Sequence, residues 1–578
     1  MQLRSRVGSI ESQSGLESPG GHKWSSSDFI EAHRLVKLSG MFNFQYCRIP
    51  VPTKIRYDRL QSSLGQVLSF KEKRTLDLLQ FGMPLDCDPN FGVRKVQKNH
   101  SSATNFASDI GHYFHDNLES QAILGPFNIP PIPELCFSPL MSVPKDENSR
   151  RVIVDFSFPP GKSVNDGICK SAYLDFEVEF SLPSVNSMVG RLNALGPGCL
   201  LYKRDLKSAF RQFSIDPGDY GFTGLAWEDK FYLDTRLAMG LRSAAFCCQA
   251  VTEMVAKIFN RRFHVLVYLD DFGGAELPES AYEAFNSLGK SLEFFGLEES
   301  PSKAVPPTTS MDWLGSCFDT VQWTMAIKPS KLQQLLDMLP MVLGRSRVRK
   351  KTLQKVLGNL VWASTVLRAG RIFFNRLLML LRKIKRPSHS IYFSREAKKD
   401  ILWWIHALRA GQGKCAIPPS VWTPLLDFST DASLQGFGMV WGSRAIAGIF
   451  TLEFEDLDIN AKELLAVMSG IKHWFAELAN TRVRIFTDNQ VCVSLLNSGF
   501  TRSPFLNKCL REIQFYLASY NIEIKAEYVA SKENVFADVC SRAFSSEVHF
   551  NNFNKLLSER ILILDFLFYQ TFEFDCDW

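Results

Sequence analysis

The pattern of apolar and polar positions changes character along the 578 residues. From Phe29 to about residue 200, short apolar runs alternate with turn signals such as Pro130, Pro131, Pro133, Pro159, Pro160 and Gly161, which predicts short strands and helices. Cys199 to Leu206 then predicts a buried strand delivering Asp205 at its end, and Phe263 to Phe272 predicts two short strands meeting at Asp270 and Asp271. Residues 326–408 switch to long helical periodicity. A linker over 409–424, with Gly411, Gly413, Pro418 and Pro419, leads into a last domain over 425–545. There, strand-like runs at 425–430, 436–441 and 445–450 precede Leu464, Leu465, Met468, Ile471, Phe475 and Leu478 at helical spacing. A strand from Val483 to Phe486, a helix, a longer helix from Pro504 to Ala518, a strand from Ile522 to Tyr528 and a helix near Val535 follow. That order predicts a mixed sheet flanked by helices. Residues 1–27, rich in Ser, Gly and charge, read as a disordered leader, and 546–578 as a C-terminal tail.

A chain of this length exceeds what one core organises, so the expected fold class is a multidomain α/β (α+β) protein. A net charge of +6 and a pI near 8.6 are only mildly basic, so any nucleic-acid binding rests on local clusters. Two such clusters lie in the helical stretch: Arg345, Arg347, Arg349, Lys350, Lys351, and Arg382, Lys383, Lys385, Arg386. For runs of this kind a solvated helix face is the plain alternative. The 13 cysteines form no Cys-x-x-Cys spacing, which fits a reducing, intracellular setting in cytoplasm or nucleus. No apolar leader is present, and the apolar run Ile561 to Tyr569 is short and interrupted by Asp565, so neither secretion nor a membrane span is expected.

Candidate chemistry comes from carboxylates. Asp205 and the pair Asp270, Asp271 arrive from two predicted strand ends and can converge. Two Mg2+ ions about 4 Å apart, held by such oxygens, can activate a hydroxyl and stabilise a leaving oxygen. An acidic pair at a hairpin turn is common, so Tyr268-Leu269-Asp270-Asp271 alone is weak. In the last domain Asp431, Glu463, Asp488 and Asp538 fall on elements that can bring them to one end of a sheet. Taken singly, Glu463 suits a helix N-terminus and Asp488 a helix cap.

Over roughly residues 120–545 an ordered series of motifs resembles reverse transcriptases with a ribonuclease H domain. Val143-Pro144-Lys145 with Arg151-Val152-Ile153-Val154-Asp155 is similar to the fingers segment that grips nucleotide phosphates, which implies that role for Lys145 and Arg151. Arg204-Asp205-Leu206-Lys207-Ser208-Ala209-Phe210 resembles the first catalytic motif, with Phe210 as the gate against a ribose 2'-hydroxyl. Met239-Gly240-Leu241-Arg242-Ser243-Ala244-Ala245 and Gln249 resemble the template- and nucleotide-positioning motif, with Ala245 where proline is usual. Tyr268-Leu269-Asp270-Asp271 resembles the second catalytic motif, Lys303 falls where a lysine serves pyrophosphate, and Trp313-Leu314-Gly315 resembles the primer grip. The resemblance implies right-hand fingers and palm over 28–325 and a helical thumb or connection over 326–408.

Ser429-Thr430-Asp431, Lys462-Glu463-Leu464, Thr487-Asp488-Asn489 and Asn534 with Ala537-Asp538 and Ser541-Arg542 resemble the ribonuclease H tetrad in order. The histidine frequent before the Lys532-Glu533-Asn534 loop is absent, which implies slower or differently tuned cleavage. Both sites are expected to use two Mg2+, with Mn2+ as a substitute. Arg151 to Ile168, and Tyr268 to Glu276, further resemble the DIRS group of retrotransposons, which integrate through a separately encoded tyrosine recombinase. No Asp-Thr-Gly or Asp-Ser-Gly protease signature and no room for an integrase domain are found, in keeping with that group. The implied partners are an RNA template, DNA, RNA/DNA hybrid and deoxynucleoside triphosphates, with the recombinase and a nucleocapsid-like protein beyond them. The competing class is a non-catalytic, domesticated RNA-binding scaffold, against which the presence of all seven carboxylates argues.

Overall fold

The computed structural model describes residues 50–568 apart from 133, 146–148, 178–181, 385, 387–388, 411–412, 419–423, 480 and 521. The predicted leader over 1–27 and much of the linker lie outside the described residues. The chain is a mixed α/β protein with several sheets, and it divides into two compact units, one up to Met311 and one from Asp312 onward.

In unit one, a hairpin of β1 (Leu140–Pro144) and β2 (Arg150–Val154) carries the first basic motif, with Val143 opposite Arg151. A four-stranded sheet carries the acids. Its strands are β3 (Leu200–Asp205), β4 (Val265–Tyr268), β5 (Asp271–Glu276) and β6 (Val305–Thr308), in the order β6-β3-β5-β4. Apolar residues of β3 to β5 and of helix α1 (Ala244–Phe259), including Tyr202, Val251, Met254, Val265, Val267 and Phe272, share one buried cluster. Helix α2 (Pro278–Phe294) follows β5. Strand alternation turns Tyr202 and Arg204 away from the acids: Arg204 stacks on Phe285 of α2 at 3.9 Å and pairs with Glu299. Gly274 is required beside this face, because a Cβ there would lie 2.2 Å from the Tyr202 ring.

Unit two begins with a sheet of β7 (Ser310–Trp313), β8 (Ser316–Asp319), β9 (Thr324–Ile327) and β10 (Lys414–Ala416), in that order. Inside the predicted linker over 409–424, Lys414–Ala416 is thus a paired strand. Helices α3 (Pro329–Leu343), α4 (Lys350–Ala363), α5 (Asn375–Lys383) and α6 (Arg395–Ala410) fill the interval, as the periodicity predicts.

A six-stranded sheet completes unit two, with β11 (Leu426–Ala432), β12 (Gly436–Trp441), β13 (Arg444–Ile449), β14 (Arg482–Thr487), β15 (Glu523–Tyr528) and β16 (Ile563–Phe568). Its order is β15-β14-β11-β12-β13-β16, antiparallel across β11-β12-β13 and parallel elsewhere. Helices α7 (Ile459–Leu478), α8 (Gln490–Ser498), α9 (Pro504–Ser519), α10 (Val535–Arg542) and α11 (Glu547–Ser558) accompany it. Residues beyond 545, read from sequence as a tail, contribute α11 and the edge strand β16 to this domain. Asp565 explains the interruption in that apolar run: it accepts from Trp474 Nε1 at 3.0 Å and pairs with Arg444.

A buried ion pair fastens the helices to this domain. Asp400 of α6 is fully buried and meets Arg511 of α9 at 2.6 Å, while the Arg511 guanidinium lies 4.4 Å from the Phe373 ring, itself stacked on Trp403.

Candidate active sites

In unit one, Asp205 ends β3 and Asp271 starts β5, and the two stand directly opposite one another in register. Tyr268 and Asp271 pair across the hairpin, so Leu269 and Asp270 form its two-residue turn, with Leu269 held at φ +58°. The turn is pinned from two sides. Asp270 O accepts from Leu206 N at 2.9 Å, and Gln249, buried on α1, accepts from Leu269 N at 2.7 Å and donates to Val267 O at 3.0 Å. The structure therefore places Gln249 beneath the hairpin, its amide bonded to the hairpin backbone and, at 3.1 Å, donating to Glu253 Oε1.

Two ammonium groups face these acids. Lys303 Nζ lies 2.6 Å from Asp205 Oδ1 and Lys203 Nζ lies 2.9 Å from Asp271 Oδ2. Asp271 Oδ1 is buried with no hydrogen-bond partner among the described residues. Burial, with like charge from the neighbouring acids, pushes the Asp270 carboxyl up and the Asp271 carboxyl up to about 6, against the pull of Lys203. An unpartnered buried oxygen beside like-charged acids is what a hard divalent cation relieves, so the residues fit one.

The other positions predicted for this site have definite settings. Phe210 sits half-buried in a 3-10 turn (Ala209–Gln212) after Asp205 and packs on the main apolar cluster. Lys145 and Arg151 are exposed on the β1–β2 hairpin, and Arg151 reaches Met239 Sδ at 3.4 Å. Gly240 has φ +99°, and a Cβ there would lie 3.2 Å from Val154 O, so glycine suits both the turn and the close approach. Asn165 clamps that loop, donating to Gly240 O at 2.8 Å and accepting from Arg242 N at 2.8 Å. Sequence reasoning did not single out Asn165 or Lys203. The period of two along β3, which puts position 203 on the Asp205 face, was the signal for the second.

In unit two, the Trp313 indole is buried at the end of β7, and Leu314 and Gly315 form the turn into β8 at φ +49° and +84°. At the end of the six-stranded sheet, Asp431 (β11), Glu463 (first turns of α7) and Asp488 (after β14) bring ligand oxygens within 4.8 Å of one another. This is the one such group of three among the described residues. Parallel pairing of β11 with β14 is what brings Asp431 and Asp488 to the same sheet end. Asp538, on α10, is more exposed and pairs with Arg542 at 2.6 Å.

Each acid here has one side-chain donor: Ser541 on Asp431, Thr487 on Glu463 at 3.3 Å, Ser531 on Asp488 and Arg542 on Asp538. Burial, reinforced by like charges, pushes the Asp431 carboxyl up to about 7 and Glu463 up to about 9. Two buried acids and a half-buried third, crowded together with no ion-paired cation among the described residues, fit a divalent metal.

No protein-family model matches the chain. It is similar to polyproteins of a virus and of transposons. The genome polyprotein of Petunia vein clearing virus is 26% identical over 370 residues, which is 62% of this chain and 16% of the polyprotein. The transposon Tf2-3 polyprotein of Schizosaccharomyces pombe is 22% identical over 427 residues, 70% of this chain and 29% of the polyprotein. The chain thus spans less than a third of either relative. Among solved structures, a foamy viral protease-reverse transcriptase (dRH) with double-stranded DNA superposes with TM-score 0.47 at 14% identity, covering 83% of both chains. The foamy viral enzyme with RNA/DNA hybrid gives 0.45 at 15% identity, over 81% of this chain and 62% of the other. Among the described residues no helix is long and apolar enough to cross a membrane.

Proposed function

We propose that this chain is the polymerase and nuclease portion of a mobile genetic element's machinery: an RNA- and DNA-templated DNA polymerase in unit one and a ribonuclease H in unit two. The observation that carries the reading is the pair of acidic constellations, Asp205 with Asp270 and Asp271, and Asp431 with Glu463 and Asp488, each at a sheet end and each on its own unit. Similarity to viral and transposon polyproteins supports the setting. The segment Arg151 to Ile168 carries the finer assignment to a DIRS-like element, with its recombinase and nucleocapsid-like partners.

In unit one, Asp205 and Asp270, with Asp271 Oδ1, would hold the metal pair; bound there, Mg2+ activates the primer hydroxyl and stabilises the leaving pyrophosphate. Lys145 and Arg151 bind the triphosphate, Phe210 excludes the 2'-hydroxyl, Gln249 fixes the hairpin that carries the acids, and Lys303 serves the pyrophosphate. Trp313, Leu314 and Gly315 position the primer. The basic residues Arg345, Arg347, Arg349 and Lys351, exposed around the start of α4, track backbone phosphates. In unit two, Asp431, Glu463, Asp488 and Asp538 would hold the ions for phosphodiester hydrolysis, and the exposed loop Ser531 to Glu533 faces solvent without a histidine. A primer-extension assay on RNA and DNA templates, run beside cleavage of an RNA/DNA hybrid, tests the reading. Mg2+-dependent extension and cleavage are expected; binding of both nucleic acids with neither reaction would favour the scaffold instead.

A further inference from the structure

Lys203 occupies a position on β3 that the chemistry of the acids leaves unexplained. Directly opposite residues of an antiparallel pair share a face, so Lys203, Asp205, Asp271 and Gly273 all lie on the catalytic side of the sheet, with Lys203 opposite Gly273 and Asp205 opposite Asp271. Gly273 contributes no side chain there, and the lysine stem reaches diagonally to Asp271. Its side chain is 19% exposed, against 53% for Lys303 on Asp205, so one cation is built into the sheet and the other stands at its rim. Lys203 takes one oxygen of Asp271, and the other oxygen is the buried atom without a partner.

We propose that Lys203 is a positioning residue of the polymerase site: its ammonium holds Asp271 Oδ2 permanently and presents Oδ1 as a single, fixed ligand for a divalent cation. This rests on the polymerase reading of unit one. A carboxylate free at both oxygens rotates and chelates through either; one fixed by a charge-assisted hydrogen bond at one oxygen has a defined second lone-pair direction. The ammonium also lowers the negative charge that the acids present, so it weakens metal binding while improving its geometry. Asp205 and Asp270 then supply most of the attraction and Asp271 the orientation.

The test uses the full chain with Asp431→Asn, so that the nuclease contributes less to metal binding and nothing to turnover. Mn2+ titration followed by electron paramagnetic resonance gives affinity, and single-nucleotide incorporation at saturating Mg2+ gives rate. Lys203→Met is expected to bind Mn2+ on the order of tenfold more tightly and yet incorporate on the order of tenfold more slowly. Lys203→Arg keeps the charge and should restore the weaker metal affinity. With Asp271→Asn already in place, Lys203→Met should change the rate little further, because the residue it positions is gone. A lower melting temperature with unchanged metal affinity and unchanged rate would overturn the proposal and leave Lys203 a structural partner. If Lys203→Met does not fold, the comparison of Lys203→Arg with Asp271→Asn still decides: equal losses of rate with no change of metal affinity in either overturn it. Absence of primer extension by the unsubstituted polymerase site counts against the polymerase reading, whereas normal extension with an inert Lys203→Met counts against Lys203 alone.

Discussion

At the hairpin of unit one, two acids are faced by ammonium groups, Lys303 on Asp205 and Lys203 on Asp271; at the sheet end of unit two, the three gathered acids are faced by hydroxyls from Ser541, Thr487 and Ser531. An ammonium compensates charge, whereas a hydroxyl only donates a hydrogen bond. In unit two, where the acids lie within 4.8 Å, burial with like charge from the neighbouring acids pushes Glu463 up to about 9; in unit one burial pushes Asp271, beside its lysine, only to about 6. Metal entry should be opposed by resident positive charge at the first site and should displace a proton at the second.

The comparison breaks if the two sites do not act separately. Asp270→Asn should lower primer extension by about a thousandfold or more, since metal ligation supplies several kcal/mol of transition-state stabilisation, and leave hybrid cleavage near its normal rate. Asp431→Asn should do the reverse. Extension by the first variant at a near-normal rate would remove Asp270 from the metal site.

Phe210→Val probes unit one alone. It should relax discrimination against ribonucleotides by roughly tenfold to a hundredfold, read as the ratio of kcat/KM for deoxy- and ribonucleotides, with cleavage untouched. Unchanged discrimination would make the half-buried ring a core residue only. Ser541→Ala probes the hydroxyl partners of unit two: loss of the donor that orients Asp431 should slow cleavage by about tenfold with extension unaffected. A normal cleavage rate would mean that the hydroxyls are bystanders and that the contrast between the sites lies in burial alone.

Most of the scaffold for both sites was readable from period and punctuation. The strands from Leu426 to Ile449, the helix through Leu464 and Leu478, and the strand ending on Asp205 fall where alternation and helical spacing put them. What escaped were pairings set by tertiary distance. Asp400 and Arg511 lie 111 positions apart, and neither sits in a motif, so a buried ion pair between a helix and the six-stranded domain has no local signature. Likewise the run from Ile561 looks like a short tail until Arg444 and Trp474 supply partners for Asp565 and β13 supplies an edge. Gln249 was legible as part of a motif, but its orientation toward the hairpin backbone depends on how α1 packs behind β4.

The smallest expected effect is on stability, and it bears most directly on the contrast of cations with protons. Unfolded, Glu463 releases its proton around its ordinary 4.5; folded, burial and its acidic neighbours hold that proton up to about 9. The folded chain binds more protons across that window, so this group's contribution to stability is full below 4.5 and is lost as pH rises through about 9. Glu463→Gln removes the titration. The metal-free variant should therefore melt a few degrees higher than the unsubstituted chain near pH 8, with the gap closing toward pH 5. Mg2+ should stabilise the unsubstituted chain more than the variant, because the cation then takes the place of the proton. Asp271→Asn should produce a smaller gain near pH 8, since Lys203 already offsets that charge. Calorimetric scans of both variants with and without Mg2+ decide the matter: equal gains at the two sites would show that lysines and hydroxyls leave the acids equally strained.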